Sequence, residues 1–141
     1  MITITPYLMF NGNCEEAMNF YRELLGGEIV TLSRYKEMAG DLPQEYREKI
    51  MHMSLDLGKG HLMGADYAPG VAFTVEPGKS GVHLSINFDT TQQMENCYKR
   101  LGEEGDITMD IQDTFWGERF AMVSDKYGFN WMLSARIAEK K

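Results

Sequence analysis

The chain has 141 residues, enough for one domain with its own core and too few for two ordinary ones. A formal net charge of −7 argues against a nucleic-acid partner, and no apolar run approaches the roughly 20 residues a membrane helix needs. Two cysteines, no CxxC, and no basic residue ahead of the apolar N-terminal stretch point to a reducing cytoplasm rather than export.

The first predicted element is a strand over ITITPYLMF. A helix follows in NCEEAMNFYRELLGG, where Cys14, Ala17, Met18, Tyr21, Leu24 and Leu25 recur at i, i+3, i+4, i+7 spacing. Asn13 with Glu16 is close to a capping box, and Gly26 and Gly27 stop the helix. Three strand-like runs come next: EIVTLSRYK, IMHMSLDL and HLMGA. Residues 38–49, between the first two, read as a turn and a short surface helix.

The order then repeats. VHLSINF is a strand. TTQQMENCYKRLGEEG is a helix with Met94, Cys97, Tyr98 and Leu101 on its apolar face, Thr90 and Gln93 as a capping box, and Gly102 and Gly105 at its end. ITMDIQ, RFAMVS and FNWMLS are strands, with DKYG a tight turn between the last two. The halves superpose at an offset of about 78 residues, Thr5 onto His83, Tyr7 onto Ser85 and Phe10 onto Phe88. One domain is expected, with a first repeat over residues 1–66, a joint rich in Pro and Gly over 67–81 and a second repeat over 82–137. Both cysteines fall on apolar helix faces and read as core residues.

Alternation assigns the strand faces. Ile4, Leu8 and Phe10 oppose Thr5, Tyr7 and Met9. Met51, Met53 and Leu55 oppose His52, Ser54 and Asp56. Val82, Leu84, Ile86 and Phe88 oppose His83, Ser85 and Asn87. Ile107, Met109 and Ile111 oppose Thr108, Asp110 and Gln112. One face suits the helices. The other is polar, yet short of the Lys and Glu that a solvated face carries. His, Ser, Asn, Thr and Tyr there fit a ligand-binding surface; a wetted antiparallel sheet is the competing reading.

Three stretches, PYLMFNGNCEEAMNFYRELLGG, IMHMSLDLGKGHLMGAD and above all DTFWGERFAMVSDKYGFNWMLS, resemble the PhnB-like branch of the vicinal oxygen chelate superfamily. That superfamily includes glyoxalase I, extradiol dioxygenases and bleomycin-binding proteins. The resemblance covers nearly the whole chain. It implies an α+β fold in which two βαβββ repeats form a strongly curved, incomplete mixed sheet with helices on the convex side and a ligand on the concave one. It also implies a homodimer. Members have been labelled as a demethylubiquinone methyltransferase, but no glycine-rich loop follows a strand here to cradle S-adenosylmethionine.

Glyoxalase-type members hold a divalent metal with His, Glu or Gln from four strands. The resemblance places those positions at Thr5, near Met63 to Ala65, at His83 and at Met132. One conventional ligand of four remains, so neither a metal nor another cofactor is expected. His83 then reads as a hydrogen-bonding group, a general base, or a histidine satisfied by its neighbours. Glu118 is a weaker catalytic candidate.

In the last stretch Trp131 is expected in the core, while Phe115 and Trp116, at a strand connection, would wall the pocket mouth. Glu118 and Arg119 are adjacent and face opposite sides. The expected ligand-binding set is Thr5, Tyr7, His52, Ser54, His83, Ser85, Phe115, Trp116 and Met132. The expected function is binding of a small organic molecule, without nucleic acid or membrane; the alternative is a glyoxalase-like isomerase or lyase with His83 as base or metal anchor.

Overall fold

The computed structural model describes residues 1–38, 40–69 and 80–137. The chain divides into two compact units, residues 1–75 and 76–141, each described by itself. The first contains β1 (Tyr7–Phe10), α1 (Cys14–Leu25), β2 (Glu28–Arg34), β3 (Ile50–Asp56) and β4 (His61–Asp66). The second contains β5 (Leu84–Phe88), α2 (Thr91–Glu104), β6 (Asp106–Asp113), β7 (Glu118–Ser124) and β8 (Asn130–Arg136).

Each unit is a βαβββ element with one mixed four-stranded sheet, ordered β1-β4-β3-β2 and β5-β8-β7-β6. β1 runs parallel to β4, and β5 to β8; the remaining neighbours are antiparallel. The parallel pair forces a crossover, which the helix provides. The repeat expected from the sequence thus has the same topology in both halves. Residues 35–37 and 44–46 form short 3-10 turns on the β2–β3 connection. The expected joint lies largely outside the described residues.

α1 buries Cys14, Ala17, Met18 and Tyr21 against β3 and β4. α2 buries Met94, Cys97 and Leu101 against its own sheet. Leu8, Phe10, Met53, Leu55 and Leu62 complete the first core; Ala121, Val123, Trp131 and Leu133 complete the second. Burial raises the thiol of Cys97 to about 12 and that of Cys14 also upward, so both behave as small apolar groups.

The two helix N-termini are capped differently. Thr90 and Gln93 form the expected box: Gln93 N donates to Thr90 Oγ1 at 3.1 Å and Thr90 N to Gln93 Oε1 at 3.2 Å. Asn13 makes no side-chain cap bond. A carboxylate from the end of β4 replaces it. Asp66 Oδ1 accepts from Gly12 N at 3.0 Å and Cys14 N at 2.9 Å, and Oδ2 accepts from Ile50 N at 2.9 Å. A negative group at a helix start also meets the positive end of the helix dipole.

Several expected boundaries move. β1 begins at Tyr7, leaving Ile4 91% exposed and Thr5 ahead of the strand. Pro6 has no N–H to give the ladder; its carbonyl accepts from Met63 N at 3.0 Å. β5 begins at Leu84, leaving Val82 70% exposed, because Val82 N turns back to Ser80 Oγ at 3.0 Å. α2 runs through Gly102 to Glu104, and a Cβ at 102 would meet the Ile107 side chain at 3.2 Å. β6 is an edge strand with two register shifts against β7, so Ile107 and Met109 stay exposed instead of entering the core.

The DKYG turn holds the last two strands. Gly128 N donates to Asp125 O at 3.0 Å, and Gly128 has φ 94°, where glycine has no Cβ penalty. The Asp125 carboxylate accepts from Tyr127 N, Phe129 N and, at 2.7 Å, Trp131 Nε1. Trp131 is therefore core scaffold with its polar edge satisfied.

Candidate functional site

Cross-strand register defines the face of each sheet turned away from its helix. In the first unit a row runs Tyr7, Met63, Ser54, Thr31 across β1, β4, β3 and β2. The neighbouring pair Met9–Ala65 and the pair His52–Ser33 lie on the same face. In the second unit the equivalent row is Ser85, Met132, Met122, Met109. Beside it run Asn87, Ser134, Phe120 and Gln112. Neither row contains a charged side chain. The first is rich in hydroxyls and the second in thioethers, which adapt their shape to a contact.

The polar groups are connected within each unit. Tyr7 Oη lies 2.9 Å from His52 Nδ1, with the two rings stacked at a centroid distance of 5.6 Å. Ser54 is buried, His52 is half-buried, and Tyr7 is 45% exposed. Burial first, and the nearby Cys14 second, push the Tyr7 hydroxyl above its ordinary range, so it stays protonated at neutral pH. In the second unit Ser134 Oγ donates to Asn87 Oδ1 at 2.7 Å.

The remaining expected site residues are more scattered. Thr5 is half-buried and precedes β1. His83 is exposed, precedes β5, and has its Nδ1 3.3 Å from Gly81 O, a local contact that brings no second catalytic group to it. Phe115 and Trp116 stand on the β6–β7 turn, 97% and 60% exposed, with their rings edge-to-face at 4.8 Å. That turn is closed by Thr114 N donating to Glu118 O at 2.7 Å and Glu118 N donating to Thr114 Oγ1 at 3.1 Å. Glu118 accepts from Trp116 Nε1 at 3.3 Å, whereas Arg119 is bound by Asp113 and Glu95 at 2.7 Å each. The Glu–Arg pair thus divides as alternation requires: Arg119 braces the sheet and Glu118 orients an indole.

The four positions at which the resemblance places metal ligands hold a poor donor set. Thr5 is a weak neutral donor, Met132 is soft, and His83 is a single imidazole. On β4, Met63 to Ala65 offer no carboxylate; Asp66 follows them, but its oxygens are taken by the Gly12, Cys14 and Ile50 amides. Among the described residues no three His, Cys, Asp or Glu side chains cluster as a metal-holding group. These residues do not fit the divalent metal that the resemblance implies.

A cleft of about 450 Å3 lies on the β2–β3 connection, lined by Tyr35, Lys36, Met38, Asp41, Pro43 and Arg47 among others. The sequence reading did not anticipate it. Lys36 Nζ is held by Glu48 at 3.2 Å, so the cleft offers few convergent polar groups, and the open sheet faces carry the better chemistry. The expected ligand-binding set also left out Met63 and Met122, which strand alternation in HLMGA and RFAMVS places on those faces.

The family model described as 3-demethylubiquinone-9 3-methyltransferase matches residues 2–134. Protein PA1353 from Pseudomonas aeruginosa is 33% identical in sequence, with a TM-score of 0.83 over 98% of this chain and 100% of that one. A PhnB protein from Bacillus cereus, described as a 3-demethylubiquinone-9 3-methyltransferase, is 31% identical, with a TM-score of 0.75 over 95% and 99% of the two chains. A glyoxalase-related enzyme from Fulvimarina pelagi shares the fold at 16% identity, with a TM-score of 0.65 over 96% and 89%. The chain belongs to the PhnB-like family that this model describes, and it shares its α+β fold with the glyoxalase-related enzyme.

Proposed function

We propose that this protein binds a small, uncharged organic molecule against its open sheet faces, without a catalytic metal. The observation that carries the reading is the pair of uncharged cross-sheet rows, hydroxyl-bearing in one unit and thioether-bearing in the other. Such faces offer apolar contact area with a few directional polar groups, which is what small-molecule sites use. Tyr7, His52 and Ser54 belong to the open face of the first unit, with Thr5 ahead of its β1; Ser85 and Met132 belong to that of the second, with His83 ahead of β5 and Phe115 and Trp116 on the β6–β7 turn. Methyl transfer finds less support. The α1 N-terminus, where a strand–loop–helix site would hold an anionic group, has its Gly12 and Cys14 amides occupied by Asp66.

The same reading includes a cytoplasmic homodimer. Exposed apolar residues on the edge strands β2 and β6, Val30 and Leu32 on one and Ile107 and Met109 on the other, support an edge that needs cover. The test is elemental analysis of untagged protein across its gel-filtration peak, with mass measured by light scattering. The expected result is well under one metal per chain, no thermal shift with Ni, Zn, Co, Mn or Fe(II), and twice the 16.1 kDa chain mass. Near-stoichiometric metal that is lost in His83→Ala would overturn the metal-free reading, and a single-chain mass would remove the dimer.

A further inference from the structure

Tyr7 and His52 belong to strands that are not neighbours: β4 runs between β1 and β3. The Tyr7 side chain therefore reaches across β4 to place its hydroxyl 2.9 Å from His52 Nδ1. The residue on β4 one step past the Gly64–Met53 pair is Ala65, small and 4% exposed, so the two rings can close over it. With an interplanar angle of 28°, stacking and the hydrogen bond fix the imidazole together. A phenol donates better than it accepts, and an unprotonated imidazole nitrogen is the better acceptor. Donation from Tyr7 Oη to Nδ1 would leave His52 with its hydrogen on Nε2. Nε2 has no hydrogen-bond partner among the described residues.

We propose that Tyr7 and His52 form one polar anchor, in which the phenol sets the imidazole tautomer and the Nε2–H donates to a carbonyl oxygen of an otherwise apolar ligand. This rests on the ligand-binding reading above and names the ligand's chemistry. A neutral donor selects an acceptor, not a cation. The chain's net charge of −7 disfavours a carboxylate, and the Met63 and Met9 thioethers on the same face suit an apolar body. Tyr7 acts here as a positioning residue: it sets the tautomer through which His52 meets the ligand.

The test uses protein labelled with 15N-histidine and 13C-methyl-methionine at pH 8, where an ordinary imidazole is neutral, with acetophenone and ethylbenzene as matched probes. The three histidines are assigned with His61→Gln and His83→Gln variants. The expected spectrum shows His52 as the Nε2–H tautomer, and Tyr7→Phe moves it toward a mixture. Tyr7 is 45% exposed, so the variant should keep its fold. Acetophenone should shift the His52 Nε2 signal, ethylbenzene only the Met63 methyl, and Tyr7→Phe should weaken acetophenone about 3- to 10-fold, the size of one hydrogen bond. An Nδ1–H tautomer, or a tautomer indifferent to Tyr7→Phe, overturns the anchor. If both probes shift Met63 and neither shifts Nε2, the anchor falls while the ligand-binding reading stands. If no open-face signal moves with either probe, both fall together.

Discussion

Asp66 shows how much one side chain can organise. It is 1% exposed and accepts three backbone N–H groups from two chain segments, the α1 start and the β3 start. Its own carbonyl accepts from Tyr35 Oη at 2.8 Å. Removing the carboxylate leaves those amides without their acceptor, at about 1–3 kcal/mol for each that stays dry. Asp66→Ala should therefore lower stability by about 3 kcal/mol or more, read from urea denaturation; a loss under about 1 kcal/mol would mean water substitutes for the carboxylate. This role was not legible in the sequence. Asp66 lies 52 residues from Cys14, and the nearby Asn13 offered a local cap that the chain does not use. Thr90 and Gln93, by contrast, are three residues apart, and that cap could be read directly.

Elements were legible wherever burial imposes a period. Both helices carry the i, i+3, i+4 stripe, and β5, β7 and the first half of β8 alternate as expected because one face meets a helix; β3 departs, with Ile50 and Ser54 buried and Met51 half-buried. β6 was misread for the complementary reason: at an edge, with two register shifts, alternation no longer separates inside from outside. The Tyr7–His52 contact was also hidden, since register between strands far apart in sequence cannot be read from either strand alone. In each unit an arginine ties helix to sheet. Arg34 at the end of β2 makes a two-pronged pair with Glu15 of α1, at 3.1 Å and 2.8 Å; Arg119 of β7 reaches Glu95 of α2 at 2.7 Å. The hydrogen bonds from Arg34 hold the Glu15 carboxyl below its usual range, against a smaller opposing effect of burial. A carboxyl so lowered stabilises the fold above its unfolded value of about 4.3, and that contribution disappears as pH falls through the lower folded value. The pair is partly exposed, so solvent screening keeps its worth at about 0.2–1 kcal/mol. Glu15→Gln should be less stable than wild type by that amount at pH 6, with the gap closing below about pH 4, as followed by thermal unfolding. A gap that persists at pH 2.5 would mean packing, not charge, holds the contact.

Across the molecule, one topology is used twice with different chemistry on its open face. At the position where the first unit carries Tyr7, the second carries Ser85; where the first carries Ser54 and Thr31, the second carries Met122 and Met109. The repeat itself could be read from Phe10 and Phe88 and from the matched strand–helix order. Which face was open followed from alternation, while the cross-sheet rows required the register. One topology therefore presents a hydroxyl-bearing open face in the first unit and a thioether-bearing one in the second.

The most direct test of that account is a methyl spectrum of 13C-methionine protein titrated with a panel of uncharged aromatic carbonyl compounds. The account predicts that open-face methionines, Met9 and Met63 in the first unit or Met122 and Met132 in the second, shift saturably, while Met18, Met53 and Met94, each 0% exposed in the cores, do not. Shifts confined to Met38 at the β2–β3 cleft, or none at any methionine, would contradict it.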